Sequence, residues 1–469
     1  MLRITSPRFP TLVLACICII SISSSNAEET SPPGLPLVDA INHALRFNRS
    51  VMLAELTADE AQISVNEAYA AFRIRWGLEG RAGTTAEDET LAYGVQTTRK
   101  FGWGGEAGIR AGYQTGDENE GAYLQFDLSQ PLFRNAGSLL NKEPIVQAEQ
   151  SAIDARRSLY LRKMDLMIDV VRGYEAVLRY ERQVEMDRRA LKRLDDLLTL
   201  TRAREETGGA TRLDSLRVDL QRGEAETTLE NSIELLALER DDFFNLIGWT
   251  QHMEIAFTPA PLLDVPTPVL ADALATALSN RLDYARALDQ LDTAERQILI
   301  ARKNMQPNLI ASGNYRMEGG QEGSDATDLE EASWFAGVSV EPDLNRYEKR
   351  AGLLRSESQR EQVLINLTDL DYTIERDIKQ QIRAYHRAIA NYRIATRNTG
   401  LAWKRLELAE SMFRMGQGDN FSVTDAESAH TSAVSTELAA RAEASLSGYR
   451  LLNALGSLLD VPDELKPRR

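Results

Sequence analysis

Residues 124–128 alternate in polarity, with Leu124, Phe126 and Leu128 to one side and Gln125 and Asp127 to the other. The same period of two runs through Ile74, Trp76, Leu78, Gly80 and Ala82, set against Arg73, Arg75, Glu79 and Arg81. It runs again through Leu309, Ala311, Gly313 and Tyr315, set against Ser312, Asn314 and Arg316, and through 334–340. A period of two is the mark of a strand with two unlike faces. Pro131 and Pro342 end two of these strands, and after each the period changes. Met164, Met167, Val171, Tyr174 and Leu178 step by three and four, the spacing of a packed helix seam. The pattern predicts helices over 37–73, 142–206, 210–247, 270–305, 349–415 and 420–456. At 1.5 Å per residue the segment 142–206 would measure roughly 95 Å. Each shorter helix is a little over half as long, so two stacked end to end match one long helix. That arithmetic predicts a cylinder of helices of common height.

The pattern also occurs twice. Leu37-Val-Asp-Ala-Ile-Asn-His-Ala-Leu45 returns as Leu270-Ala-Asp-Ala-Leu-Ala-Thr-Ala-Leu278, each after a proline, Pro36 or Pro268. Gln130-Pro131 returns as Glu341-Pro342, and 206–214 has a looser echo in 415–423. Three landmarks in one order indicate a duplication. The expected units are a first repeat over 28–258, a linker over 259–268, a second repeat over 269–460 and a tail over 461–469.

The arginines on the polar side of 73–81 and at Arg316 weigh on how the strands pack. A soluble sheet with one wet face and a membrane barrel share the alternation. Arginine against a dry core is costly, and a water-filled lumen accommodates it, so the barrel is favoured. Counted back from the two prolines, the apolar parity differs by one residue, which predicts a bulge or a gap. Segment 85–121 adds further alternation around Phe101-Gly-Trp-Gly-Gly105, the pattern of an inserted hairpin. Two readings of it stay open, one extending above the sheet and one widening it.

The first residues constrain the compartment. Arg3 and Arg8, the apolar run 12–22 and Ser25-Asn26-Ala27 form a secretory leader over 1–27. A lipid-attachment reading at Cys16 is the lesser alternative, since apolar residues follow it. Both cysteines, Cys16 and Cys18, lie in this leader, so the exported chain has no thiol for a disulfide. With 54 Lys and Arg against 70 Asp and Glu, the net charge is −16, which argues against a nucleic-acid partner. No later run is apolar enough for a spanning helix, so membrane entry would require strands.

Candidate chemistry is sparse. His43, His252, His386 and His430 are scattered and none falls in a metal-binding spacing, so neither catalysis nor a cofactor is expected. Gly208 and Gly209, and Gly416 and Gly418, mark turns where long helices reverse. Asp214, Asp419 and Asp425 lie beside those turns, where a carboxylate can cap a helix start.

The duplicated L-x-D-A-x-x-x-A-L helix start, the Q-P and E-P strand exits, Pro307 before a strand and the paired glycine turns resemble the TolC family of outer-membrane efflux proteins. The resemblance covers nearly all of the exported chain. It implies a mainly α protein with transmembrane β structure: a homotrimeric outer-membrane barrel of twelve strands, four per chain, continued by a long periplasmic helical barrel with an equatorial belt. It further implies a passive exit duct in a tripartite efflux or type I secretion system, seated in outer-membrane lipid and joined to a periplasmic adaptor and an inner-membrane pump. The tips with Gly208, Gly209, Gly416 and Gly418 would receive the adaptor, and Pro131 and Pro342 would mark the exit of the strands into the periplasm. Asp425, with Asp214 and Asp419 nearby, would form an acidic periplasmic gate. The neighbouring ring position falls on Ser422, and the arginine that locks the family's closed tip has no clear counterpart near Asp419-Asn420. The rival reading is a periplasmic coiled-coil adaptor or scaffold that never enters the membrane.

Overall fold

The computed structural model describes residues 34–84, 89–115, 121–249, 255–266, 268–319, 329–342 and 346–467. The expected leader 1–27, with Cys16 and Cys18, lies outside the described residues, as does His252.

Two helices set the length of the molecule. α4 (Glu143–Glu206) has 64 residues and α8 (Tyr347–Arg414) has 68. At 1.5 Å per residue these are rods of about 95 to 100 Å. α5 (Arg212–Ile247) folds back along α4, and α9 (Asn420–Ala454) folds back along α8. α2 (Arg49–Ala70) lies on the remaining part of α4, and α7 (Leu282–Asn304) on that of α8.

The expected helices over 37–73 and 270–305 are each two helices. α1 (Leu37–Phe47) and α2 are broken at Asn48, and α6 (Leu270–Asn280) and α7 at Arg281. Asn48 is extended, with φ −68° and ψ 126°. Its Oδ1 accepts from the backbone N–H of Ser50 and Val51, capping α2. Its Nδ2 donates to Leu246 O at 2.7 Å, satisfying a carbonyl in the last turn of α5. One side chain thus joins the end of α5 to the start of α2. Arg281, at φ −70° and ψ 125°, holds the matching place. Its guanidinium binds Asp283 and Asp377 and reaches Ala454 O, at the end of α9.

A core wraps the middle of α4. Tyr174, halfway along that helix and fully buried, packs edge-on against Phe243 and Phe257. Its hydroxyl lies 2.7 Å from both Leu35 O and Thr258 O. It thereby anchors the short parallel pair β1 (Gly34–Leu35) and β6 (Ala256–Phe257). Tyr385 repeats the device on α8, accepting from Val265 N–H at 3.1 Å.

The strands form one antiparallel sheet of six in the order β2-β3-β4-β5-β7-β8. They are β2 (Arg75–Thr84), β3 (Glu89–Lys100), β4 (Glu106–Thr115), β5 (Gly121–Pro131), β7 (Asn308–Gly319) and β8 (Leu329–Glu341). The resemblance implied four strands per chain, and β3 and β4 account for the difference. Of the two readings of the insertion, the structure has the hairpin within the sheet. Its turn at 101–105 lies at the end where β5 leaves for the helices. Gly137 N–H donates to Trp103 O at 2.8 Å there. Gly104 has φ +99°, and a Cβ on it would stand 2.5 Å from Asn135 O. The turn is therefore fitted against the strand exit.

The parity mismatch has another cause than a bulge. Pro131 stands opposite Ile310, which stands opposite Ser339. Pro342 follows three residues after Ser339, an odd offset that reverses the parity with no defect between these strands. The register shifts instead at Glu318/Gly319, at the far end of the sheet.

Candidate channel site: apolar rows and a helical tip

The sheet has two unlike faces. Leu78, Val95, Ala111, Leu124, Met317 and Ala332 stand side by side across all six strands. The row containing Trp76, Thr97, Ile109, Phe126, Tyr315 and Trp334 runs parallel to it. Leu78 is 88% exposed, Trp334 76% and Trp76 75%, because none of the described residues covers this face. Such exposure of contiguous apolar side chains marks a surface made for something other than water. Ten residues of strand at about 3.3 Å each, tilted as in barrels, span about 25 Å of height.

The opposite face is polar and internally bonded. Gln96, Arg110, Gln125, Arg316 and Ser333 form one of its rows. Asp127 Oδ2 accepts from Arg110 at 3.0 and 3.2 Å, while its Oδ1 accepts from Gln125 at 2.6 Å and from Asn314 at 3.3 Å. Arg316 donates to Gln125 Oε1 at 3.4 Å and to Gln114 Oε1 at 3.3 Å, so Arg110 and Arg316 both have acceptors on this face.

At the other end of the molecule the helices reverse in two turns of equal length, 207–211 and 415–419. Gly208 at φ +74° and Gly416 at φ +77° take the left-handed conformation that ends each rod. Gly209 N–H donates to Arg204 O and Gln417 N–H to Met412 O, so the two turns share one design. This equivalence, Thr207 with Met415, is one residue away from the echo expected from sequence. Gly209 and Gly418 play different parts. A Cβ on Gly418 would come within 3.1 Å of Phe413 N, whereas one on Gly209 meets only ordinary contacts.

The three acids separate into two kinds. Asp214 and Thr211 form a reciprocal capping box at the start of α5. The Thr211 hydroxyl and amide hold the Asp214 carboxyl below its ordinary range. Asp419 caps α9, and the Ser422 hydroxyl and amide lower its pKa in the same way. The two turns touch, since Asn420 Nδ2 reaches Asp214 O at 3.4 Å, and the positive charge of Arg217 favours both carboxylates. Asp425 lies further along α9, about half exposed and ion-paired with Arg405 of α8. Arg217 and Arg405 are the arginines facing these three acids, and neither is beside Asp419-Asn420 in sequence.

Three contacts at the tip had no forecast. Arg193 of α4 makes a two-pronged bond to Glu427 of α9, 2.7 and 2.5 Å long. His430 is buried beside it, its ring 5.2 Å from Trp403 of α8. Burial pushes the imidazole pKa down; Glu427 opposes the shift and Arg193 adds to it. Arg204 of α4 donates to Phe413 O at 2.7 Å and lies over that ring at 4.3 Å, capping the end of α8. These contacts tie the first helical hairpin to the second.

Among the described residues there is no group of His, Cys, Asp and Glu able to hold a metal, and no helix is long and apolar enough to cross a membrane. No family model matches the sequence, and no curated protein matches it. Solved structures do. The outer-membrane channel OprN superposes with a TM-score of 0.69 at 15% identity, over 90% of each chain. CusC, described by its transmembrane channel formation, gives 0.69 at 15% identity over 93% of this chain and 95% of its own. The outer-membrane protein VceC of Vibrio cholerae gives 0.67 at 16% identity over 90% and 96%. The chain has the fold of these TolC-family outer-membrane channels over about 90% of its length.

Proposed function

We propose that this chain is a passive, homotrimeric outer-membrane channel, the exit duct of a tripartite efflux or type I secretion system. One observation carries the reading: apolar rows cross every strand of the sheet, and rods of about 95 Å leave one end of it. The rows suit outer-membrane lipid, and the polar face suits a water-filled lumen. The rods suit a passage across the periplasm. A sheet with free edges at β2 and β8 cannot close alone. Even strand number makes β8 of one copy antiparallel to β2 of the next, so three copies in a ring continue the alternation.

The tip carries the two finer assignments. Exposed Leu213, Met415 and Phe421 flank the glycine turns and offer an apolar seat for a periplasmic adaptor, which links the duct to an inner-membrane pump. Asp425 on each of three copies would form an acidic ring, with Asp214 and Asp419 below it as helix caps. The likeness of fold to OprN, CusC and VceC supports the duct reading and leaves the cargo open.

Outer-membrane fractionation, a heat-modifiable band on gels and ion conductance in planar bilayers test the proposal together. A soluble periplasmic protein without conductance would instead be the scaffold that the helices alone allow.

A further inference from the structure

The inserted hairpin is the feature that the duct reading leaves without a task. Its strands carry the same apolar face as their neighbours. Val95 of β3 and Ala111 of β4 join Leu78 to Leu124, Thr97 and Ile109 join Trp76 to Phe126, and Tyr93 and Tyr113 stand side by side in a third row between Gly80 and Ala122. Gln96 and Arg110 continue the opposite polar row. Each added strand pairs over ten positions on its first side, so the hairpin is as tall as the sheet. Its turn is seated on the strand exit through Trp103 and Gly137. A hairpin standing outside the sheet would need neither the matching faces nor that seat.

We infer that the hairpin is wall: each chain contributes six strands, and the assembled barrel has eighteen. The count of eighteen rests on the trimer proposed above. Barrel diameter grows roughly linearly with strand number, so this mouth is about 1.5 times as wide as one of twelve strands, with about 2.3 times the cross-section. Sixteen to eighteen strands is the class that leaves an open aqueous channel. The outer mouth is then too wide to sort solutes, and size selection falls to the helical tip. The cargo class this allows extends to bulky solutes and extended polypeptides.

The lumen side also contains a recess suited to a wide mouth. Gln96, Thr98, Gly108, Arg110, Asp127 and Ser129 border a hollow of about 340 Å³ that reaches Ser312 and Asn314. It spans β3 and β4 together with β5 and β7, so the added strands shape the lumen wall itself.

Single cysteines decide the question, placed in a chain whose Cys16 and Cys18 are changed to alanine. The probe is a charged, membrane-impermeant maleimide applied to the inserted protein. Val95→Cys and Ile109→Cys are expected to resist it, as Leu124→Cys does, while Gln96→Cys reacts. Labelling of Val95→Cys and Ile109→Cys with Leu124→Cys still protected would overturn the inference and leave the channel reading standing. Labelling of all three would remove the channel reading itself.

A second measurement reads width. Deleting 89–115 brings Trp76 opposite Phe126 and Leu78 opposite Leu124 with faces preserved, so a four-stranded sheet can form. Maleimide-tagged polyethylene glycols of graded mass are then applied from outside to Ser312→Cys on the polar face. The full chain is expected to admit a larger polymer than the deleted chain, and an equal cut-off would count against the wider barrel. If the deleted chain fails to insert, the protection pattern of the full-length cysteines still decides.

Discussion

Asp425 and Asp419 stand six residues apart and do different work. Asp419 accepts from Ser422 N–H at 2.9 Å and so holds the first turn of α9. Asp419→Ala is expected to cost about 1 kcal/mol, read as a lower melting temperature, with ion preference unchanged. Asp425 caps nothing, and its exposed pair with Arg405 stabilises little. Asp425→Ala is therefore expected to keep the melting temperature and to lose cation preference in bilayer recordings, because three converging carboxylates attract cations. Recording both quantities on both variants separates a cap from a ring. His430 gives a pH test at the same scale. Its folded pKa is depressed below the ordinary imidazole value of 6.5, so its contribution to stability is complete above that pH and is lost as pH falls through the folded value. Melting followed from pH 7.5 to about 5 is expected to fall further for the native chain than for His430→Gln, because only the native imidazole must take up a proton beside Arg193. Identical pH profiles would show that the ring is not held neutral by its burial.

Among the elements, the strands were legible because a period of two survives over ten residues and every face carries its own chemistry. The long helices were legible for the same reason at the helical period. The break at Asn48 was not. Phe47-Asn48-Arg49 keeps the helical spacing on both sides, and an extended residue is needed only because the end of α5 arrives there, 198 positions away in sequence. Arg281 was hidden in the same way. The glycine turns could be read from composition, whereas Arg193–Glu427 could not, since 234 residues separate the pair and only the crossing of two hairpins brings them together. The faces of the strands can be tested directly. Leu124 lies mid-row on the apolar face, and an arginine there costs about 2–4 kcal/mol per copy in lipid. Leu124→Arg is expected to lower the yield of inserted protein sharply, while Ser129→Arg, beside Glu106 on the polar face, is tolerated. Gln125, although on the polar face, is a poor control because it is buried and bonded to Asp127. Equal loss at Leu124 and Ser129 would reverse the assignment of faces.

For the whole molecule, the exposed side chains concentrate where copies and lipid would meet. The edge strand β8 presents Trp334, Val338 and Val340, and α5 presents Leu213, Leu216 and Leu220 at helical spacing. A lone chain would leave these and two strand edges in water. The protein extracted in mild detergent is expected to sediment as a trimer that survives dilution, and a stable monomer would contradict the assembly. The hexad of strands was only half visible in sequence. Alternation at 85–121 announced a hairpin, but only the pairing of Thr97 with Ile109 and Ile109 with Phe126 puts it in line with the rest.

The joints at Asn48 and Arg281 have a mechanical consequence. Two rods of the chain run unbroken from sheet to tip, and beside them the end of α5 meets the start of α2 at Asn48 and the end of α9 meets the start of α7 at Arg281. No backbone runs directly from α5 into α2 or from α9 into α7, so a disturbance of the lower helices passes to the upper ones only through α4, α8 and the core packed around the two joints.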